Sequence, residues 1–267
     1  MKYCRILLNN EPRFALVETE GSTGRELITR IFLCDANARI PDLDAASRRI
    51  DAVPLDDAKL LAPVLPSKIV CMGRNYVAHA KELGHEVPKE PLIFLKASSA
   101  LLDPGAQIRR PRLSQEVHYE GELGVVIGRT CSKVRDGEDV RDYILGYTCV
   151  NDVTARDLQK KDGQWSRAKG FDTFCPAGPV VVDGLDPWAG VEVETRVNGN
   201  QRQHGTTADF IFPLDAIIRY ISAAMTLFPG DLIATGTPEG VGPLNAGDVV
   251  EVSVNGVGTL RNPVVDE

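Results

Sequence analysis

Two short acidic segments carry the residue types best suited to chemistry. HYEGELGVVIGR (118–129) holds Glu120 and Glu122 two positions apart, and GYTCVNDVTARDLQ (146–159) holds Asp152. On a β-strand, side chains at i and i+2 share one face, so both glutamates point the same way. Like charges that close are costly unless a cation or a shared proton compensates them. An isolated E-x-E pair reads first as a solvated strand face. Here apolar LGVVIG follows at once and draws the pair toward the core. Asp152 stands where a second apolar strand, YILGYTCV, stops. Three carboxylates on adjacent strand ends form an all-oxygen site suited to Mg²⁺ or Mn²⁺, with water or substrate at the remaining positions. His118 reads as an ordinary strand-start residue rather than a fourth ligand.

His79 and Glu82 lie at i and i+3 in GRNYVAHAKELG and become neighbours on a helical turn. A carboxylate beside an imidazole fixes its tautomer and raises its basicity, as a general base requires. Taken alone, a surface pair is the commoner reading. GTPEGVG (236–242) lacks the G-K-[ST] ending and βαβ surroundings of a phosphate loop. Its glycines instead let the backbone and Thr237 approach a small ligand. HExxH and G-x-S-x-G are absent from the sequence, which sets aside zincin and serine-hydrolase chemistry.

The elements that must position these residues read as mostly strand. With 267 residues, one main domain plus a small appendage is expected. The stiff connector Pro63-Val64-Leu65-Pro66 places the boundary near residue 65, giving a small β-containing module (1–65) and a main domain (66–267). KYCRILLNN and PRFALVETE are strand-like runs joined by a turn around Asn9 to Pro12. VEVETRVNGNQRQ (191–203) and VEVSVNGVGTLRN (250–262) each alternate into an Asn-Gly pair, and read as two hairpins sharing turn chemistry. FPLDAIIRYISAAMTLF is the clearest helix, with Ile217, Ile221, Ala224 and Met225 at helical spacing and Pro229-Gly230 ending it.

The composition, 43% hydrophobic and 25% charged, is that of a soluble globular chain. Six scattered cysteines without a C-x-x-C pair read as free thiols in a reducing compartment. A net charge of −7 argues against a nucleic-acid partner. No apolar run is long enough for a membrane span, and the start MKYCRILLNN lacks a signal-peptide pattern. The cytoplasm is the expected location.

Together with IVCMGRNYVAHAKELG (69–84), PLIFLKASSAL (91–101), SRAKGFDTFCPAGPVVV (166–182) and FPGDLIATGTPEGVGP (228–243), the acidic segments resemble the fumarylacetoacetate hydrolase superfamily. The similarity lies in the branch of acylpyruvases, oxaloacetate decarboxylases and 2-hydroxyhepta-2,4-diene-1,7-dioate isomerases. It spans nearly everything from residue 67 onward, in order. The resemblance implies a mixed β-roll core with peripheral helices, usually as a homodimer, and a small extra N-terminal domain. It places the metal on Glu120, Glu122 and Asp152 and a water-activating dyad, His79 and Glu82, on a lid. It also implies a basic residue facing the substrate, Lys169, and hydrogen bonds from Gln159 and Thr237 to the substrate's carboxylate end. Arg74 is a further candidate cation. The activity first implied is hydrolytic C–C cleavage of an acylpyruvate such as fumarylpyruvate or acetylpyruvate through a metal-stabilised enolate. Oxaloacetate decarboxylation and isomerisation of a 2-hydroxydienoate such as 5-carboxymethyl-2-hydroxymuconate share that electron sink. A non-catalytic, metal-dependent dicarboxylate binder is the reading from another class.

Overall fold

Asn9 and Asn10 both adopt left-handed backbone conformations, with φ of 53° and 63°. A two-residue turn of this hand matches the twist of its flanking strands, and it joins Lys2–Leu8 to Glu11–Thr19 in one hairpin. The computed structural model describes residues 1–267 except Ser22, Leu83 and His85. Leu83, which falls within one of the family-like segments, therefore lies outside the described residues.

The main sheet runs, strand by neighbouring strand, through residues 47–54, 26–32, 11–19, 2–8, 175–182, 144–151, 121–127, 232–234, 69–73 and 92–96. All of these pairs are antiparallel except 232–234 against 69–73. The N-terminal strands continue the main sheet, because Lys2 and Tyr3 pair with Val182 and Val181. Residues 1–65 and 66–267 thus share one hydrogen-bonded layer. A mostly β fold with few, short helices is what the alternating sequence pattern leads one to expect.

A second sheet of five strands is built on the two Asn-Gly hairpins. Asn198 and Gly199 make a tight turn between Glu192–Val197 and Asn200–Thr206. Asn255 to Val257 connect Val249–Val254 to Gly258–Asp266. The hairpins lie side by side, Val193↔Val254 to Val197↔Val250. Strand Gly121–Ile127 is buried on both faces, as its continuous apolar run requires. Leu123 and Val125 share a core with Val193 and Val252 of the second sheet, whereas Val126 joins the core on the opposite face.

The long helix covers Leu214–Ala224 and buries Ile217, Ile218 and Ile221, each contributing about 2 kcal/mol by leaving water. Its end differs from the periodicity. Ala224 is exposed, and Met225 is already extended at φ −149°. Leu227 then exchanges backbone hydrogen bonds with Cys131, so tertiary pairing ends the helix before Pro229-Gly230 can. All six cysteines are free, and five of them are buried. Among the described residues, no helix is long and apolar enough to cross a membrane.

One buried carboxylate ties the connector to the sheet. The Asp231 side chain, 0% exposed, pairs with Lys68. It also accepts from the Ser67 hydroxyl at 2.6 Å, Ser67 N–H at 3.0 Å and Phe228 N–H at 2.8 Å. Burial alone would raise this carboxyl, but Lys68, Ser67 and the Phe228 N–H hold it below its ordinary value. A depressed folded value means that the stabilisation is complete above the ordinary aspartate pKa and is lost as pH falls through the folded one. Asp231→Asn should therefore cost about 3 kcal/mol near neutrality, measured by urea unfolding. The gap between variant and wild type should close on acidification. A gap independent of pH would disprove the electrostatic account.

Candidate metal centre and active site

The three carboxylates converge because two strands end together. Gly121 pairs with Asn151 in the ladder between Gly121–Ile127 and Ile144–Asn151, so Glu120 and Asp152 both stand just past the paired ends. The Asp152 N–H donates to Glu120 O at 2.8 Å, and the Asn151 side chain accepts the Glu120 N–H at 3.0 Å. One ligand oxygen from each of Glu120, Glu122 and Asp152 can lie within 4.8 Å of the others. All three residues are 5% exposed or less. Among the described residues, this is the only such group of acidic, His or Cys side chains. His118 lies outside it, with Nε2 3.1 Å from Glu116.

Three buried cations surround the carboxylates. Lys169 Nζ donates to Glu120 Oε2 at 2.8 Å and to Asp152 Oδ2 at 2.6 Å. Lys96 Nζ holds Asp152 Oδ1 and Val153 O. Arg156 donates to Glu120 Oε1, and through Nη1 to Gln159 Oε1 at 2.7 Å. Burial pushes the Glu120 carboxyl up, but Lys169, Arg156 and His79 outweigh it and hold Glu120 below the usual carboxylate range. Burial pulls the Lys169 ammonium down, yet Asp152 and Glu120 more than restore it.

Glu122 has the opposite balance. Its oxygen accepts the Gly236 N–H at 2.7 Å, but the three cations bond to its neighbours. Burial first, then Asp152 and Glu120, raises its carboxyl well above the ordinary value. Such a group is either protonated or in need of a cation. Three hard oxygen donors with one under-compensated carboxylate fit a hard divalent ion. Gly236 reaches Glu122 from a left-handed backbone, φ 100°, and a side chain there would strike Asn75. Asn75 in turn pins this turn, donating to Thr235 O at 2.9 Å.

A cavity of about 170 Å³ opens at Glu120, the one member of the cluster in its lining, which also includes Arg74, His79, Arg156, Gln159, Lys160, Lys169 and Thr237, with Met72, Gly73, Phe94 and Trp165 as an apolar wall. All three substrate-facing candidates, Arg74, Gln159 and Thr237, therefore line it. Arg74 has a left-handed backbone, φ 58°. Gln159 gives its carbonyl to Arg156. Thr237 Oγ1 donates to Gly121 O at 2.9 Å and accepts from Gln203 at 2.7 Å. Its hydroxyl proton is thereby committed to the backbone rather than to a ligand.

His79 and Glu82 sit on the short helix Val77–Glu82. His79 is 4% exposed, with Nδ1 3.2 Å from Glu82 Oε2. The other Glu82 oxygen accepts the Gly240 N–H at 2.9 Å. The arrangement places a paired imidazole at the edge of a cationic cavity that reaches Glu120. It can hold an anion, stabilise a developing enolate oxygen and move one proton.

Motif reasoning passed over Lys96, Arg156 and Trp165. Lys96 closes an otherwise apolar strand, LIFLK, and a lysine ending an apolar run is a usable signal. Arg156, four residues after Asp152, meets Glu120 only because the helix Arg156–Asp162 starts there. Trp165 stacks edge-on against Phe94 at 5.1 Å, and Phe94 lies 5.0 Å from the Lys169 ammonium. A Cβ at Gly73 would meet Trp165 at 2.9 Å, so the aromatic wall requires glycine there.

The family model described as fumarylacetoacetate (FAA) hydrolase C-terminal matches residues 68–265, and that described as Rv2993c-like, N-terminal matches residues 1–63. Protein Rv2993c of Mycobacterium tuberculosis is 54% identical over 214 residues, covering 79% of this chain and 80% of that protein. Oxaloacetate tautomerase YisK of Bacillus subtilis is 42% identical over 224 residues, covering 79% of this chain and 74% of its own. The crystal structure of 5-carboxymethyl-2-hydroxymuconate delta-isomerase from Mycobacterium smegmatis matches with a TM-score of 0.86 at 42% identity, and 100% of each chain is covered. With its acidic trio and its motifs inside the matched span, this chain belongs to the fumarylacetoacetate hydrolase family.

Proposed function

We propose that this chain catalyses enol–keto interconversion of a small 2-oxo diacid of the oxaloacetate type, dependent on a divalent cation. The observation that carries the reading is the buried His79, engaged by Glu82 through Nδ1 at the edge of a cavity that also contains Lys169. With Nδ1 occupied, Nε2 is the nitrogen available to exchange a proton with substrate. Bound at Glu120, Glu122 and Asp152, Mg²⁺ or Mn²⁺ would polarise the 2-oxo group as a Lewis acid.

The protein's own residues account for the rest. Arg74 and Arg156 supply positive charge for the substrate carboxylates, and Gln159 is held by Arg156 at the same wall. Lys169 stabilises the oxygen that carries charge in the enolate. In the ketonising direction His79 delivers its proton to carbon 3, and the proton leaving the enol oxygen passes through solvent to restore His79. The reverse direction returns both, so nothing else is consumed. The names of the tautomerase and isomerase relatives support this class of proton transfer.

Hydrolysis of an acylpyruvate, which the motif resemblance puts first, uses the same residues plus an attacking water, with His79 and Glu82 as its base. Decarboxylation of oxaloacetate needs the same electron sink and no water. The three are separated by following enol absorbance, carbon dioxide and pyruvate with purified protein and Mg²⁺ or Mn²⁺. The substrates are oxaloacetate, acetylpyruvate, fumarylpyruvate and a hydroxymuconate-type diacid. Accelerated loss of enol-oxaloacetate without carbon dioxide is the expected result. Acylpyruvate cleavage without enol–keto acceleration would replace the tautomerase reading with the hydrolase. Ligand-dependent thermal stabilisation without any turnover would identify a binder.

His79→Ala should lower kcat by about 10²- to 10⁴-fold while Mn²⁺ binding, followed by calorimetry, stays intact. Asp152→Asn should instead abolish Mn²⁺ binding and turnover together, with the circular dichroism spectrum unchanged. Full activity in Asp152→Asn would sink the proposed metal centre.

A further inference from the structure

Between the two glutamates lies a residue with no side chain, and its backbone is held by side chains at both polar atoms. Gly121 N–H donates to Gln203 Oε1 at 3.0 Å. Gly121 O accepts from Thr237 Oγ1 at 2.9 Å. Gln203 Nε2 donates to Thr237 Oγ1 at 2.7 Å and to Pro238 O at 2.8 Å. The three residues close a hydrogen-bonded ring, and Gln203 is 1% exposed. Gln203 and Thr237 are 2% exposed or less, so each bond is costly to leave unmade.

Gln203 reaches the site from the hairpin of the second sheet, where its cross-strand partner is Thr195. Both face Gly121. Thr195 is 0% exposed, its hydroxyl is without a hydrogen-bond partner among the described residues, and its Oγ1 occupies the space a Cβ at Gly121 would need. The second sheet therefore presses on the E-G-E segment from behind while Glu120 and Glu122 project from the other face.

We infer that Gln203 is a positioning residue for the metal centre: through the ring with Gly121 and Thr237 it sets the backbone from which Glu120 and Glu122 project. The same ring consumes the Thr237 hydroxyl proton and fixes that residue's place on the cavity wall. Gln203 lies outside the metal ligands and outside the cavity lining, and it acts only through its two partners. The inference rests on the cation-dependent reading above, but Mn²⁺ binding tests it without reference to any substrate.

The experiment is a calorimetric Mn²⁺ titration of five variants of the full chain, with kcat and KM measured alongside. Gln203→Met, which keeps the volume and removes the bonds, should weaken Mn²⁺ binding about tenfold or more. Thr237→Val should do the same from the opposite side of the ring, and Thr237→Ser, which retains the hydroxyl, should bind as wild type. The double variant of Gln203→Met and Thr237→Val should lose less than the sum, because both break one ring. Thr195→Val, at the neighbouring position on the same hairpin, should leave Mn²⁺ affinity unchanged. Wild-type affinity in a folded Gln203→Met, or an equal loss in Thr195→Val, overturns the assignment. If Gln203→Met does not fold, Thr237→Val reads the same ring, and wild-type affinity there overturns it. A wild-type chain that binds Mn²⁺ yet converts none of the oxo acids defeats the tautomerase reading alone.

Discussion

Three carboxylates buried at one point repel one another, and the surrounding architecture answers that repulsion. Water cannot screen them at 5% exposure or less, so compensation has to be built from fixed groups. Lys169 bridges Glu120 and Asp152, Lys96 takes the second Asp152 oxygen, and Arg156 takes the second Glu120 oxygen. These cations come from three separate elements: the strand Leu92–Lys96, the helix Arg156–Asp162 and the helix Ser166–Gly170. Their arrival at one place ties the edge of the main sheet and the two short helices to the ends of its central strands. Glu122 is left with a backbone N–H as its donor. The imbalance is local, and it creates a seat suited to a hard cation next to a cavity lined by Arg74, Arg156, Lys160 and Lys169.

The second sheet has a part in this that its distance from the cavity conceals. Its strands bury Val193 and Val252 against Leu123 and Val125, and the same packing brings Gln203 onto Gly121. Packing and the acidic cluster are therefore connected through one peptide unit. The E-x-E spacing does more than direct two side chains to one face. It leaves the middle residue free to be gripped from the other.

The His79–Glu82 pair is placed with similar economy. Glu82 orients His79 with one oxygen and holds the Gly240 N–H with the other, while Tyr119 donates to Gly240 O at 2.8 Å. The dyad is thus fastened to the 236–242 turn, whose Gly236 supports Glu122. The carboxylate cluster and the His79–Glu82 pair thus share one loop.

Periodicity and turn chemistry were legible in the residues because both are local. Asn9-Asn10 and the two Asn-Gly pairs marked hairpins, the alternating runs marked strands, and E-x-E with Asp152 marked an oxygen site. His79 and Glu82 were readable because helical spacing alone makes them neighbours. The end of the long helix was not, since the pairing of Leu227 with Cys131 decides it across 96 residues of chain. Arg156, Trp165 and Gln203 were equally hidden. Each looks unremarkable beside its own neighbours and gains a role only from residues distant in sequence. The sequence by itself thus determined which carboxylates could gather and on which strand ends. The tertiary structure decided which of them are neutralised, which one is left wanting a cation, and what holds the glycine between them. Electrostatic balance in a buried site is a sum over space, and spacing along the chain does not contain it.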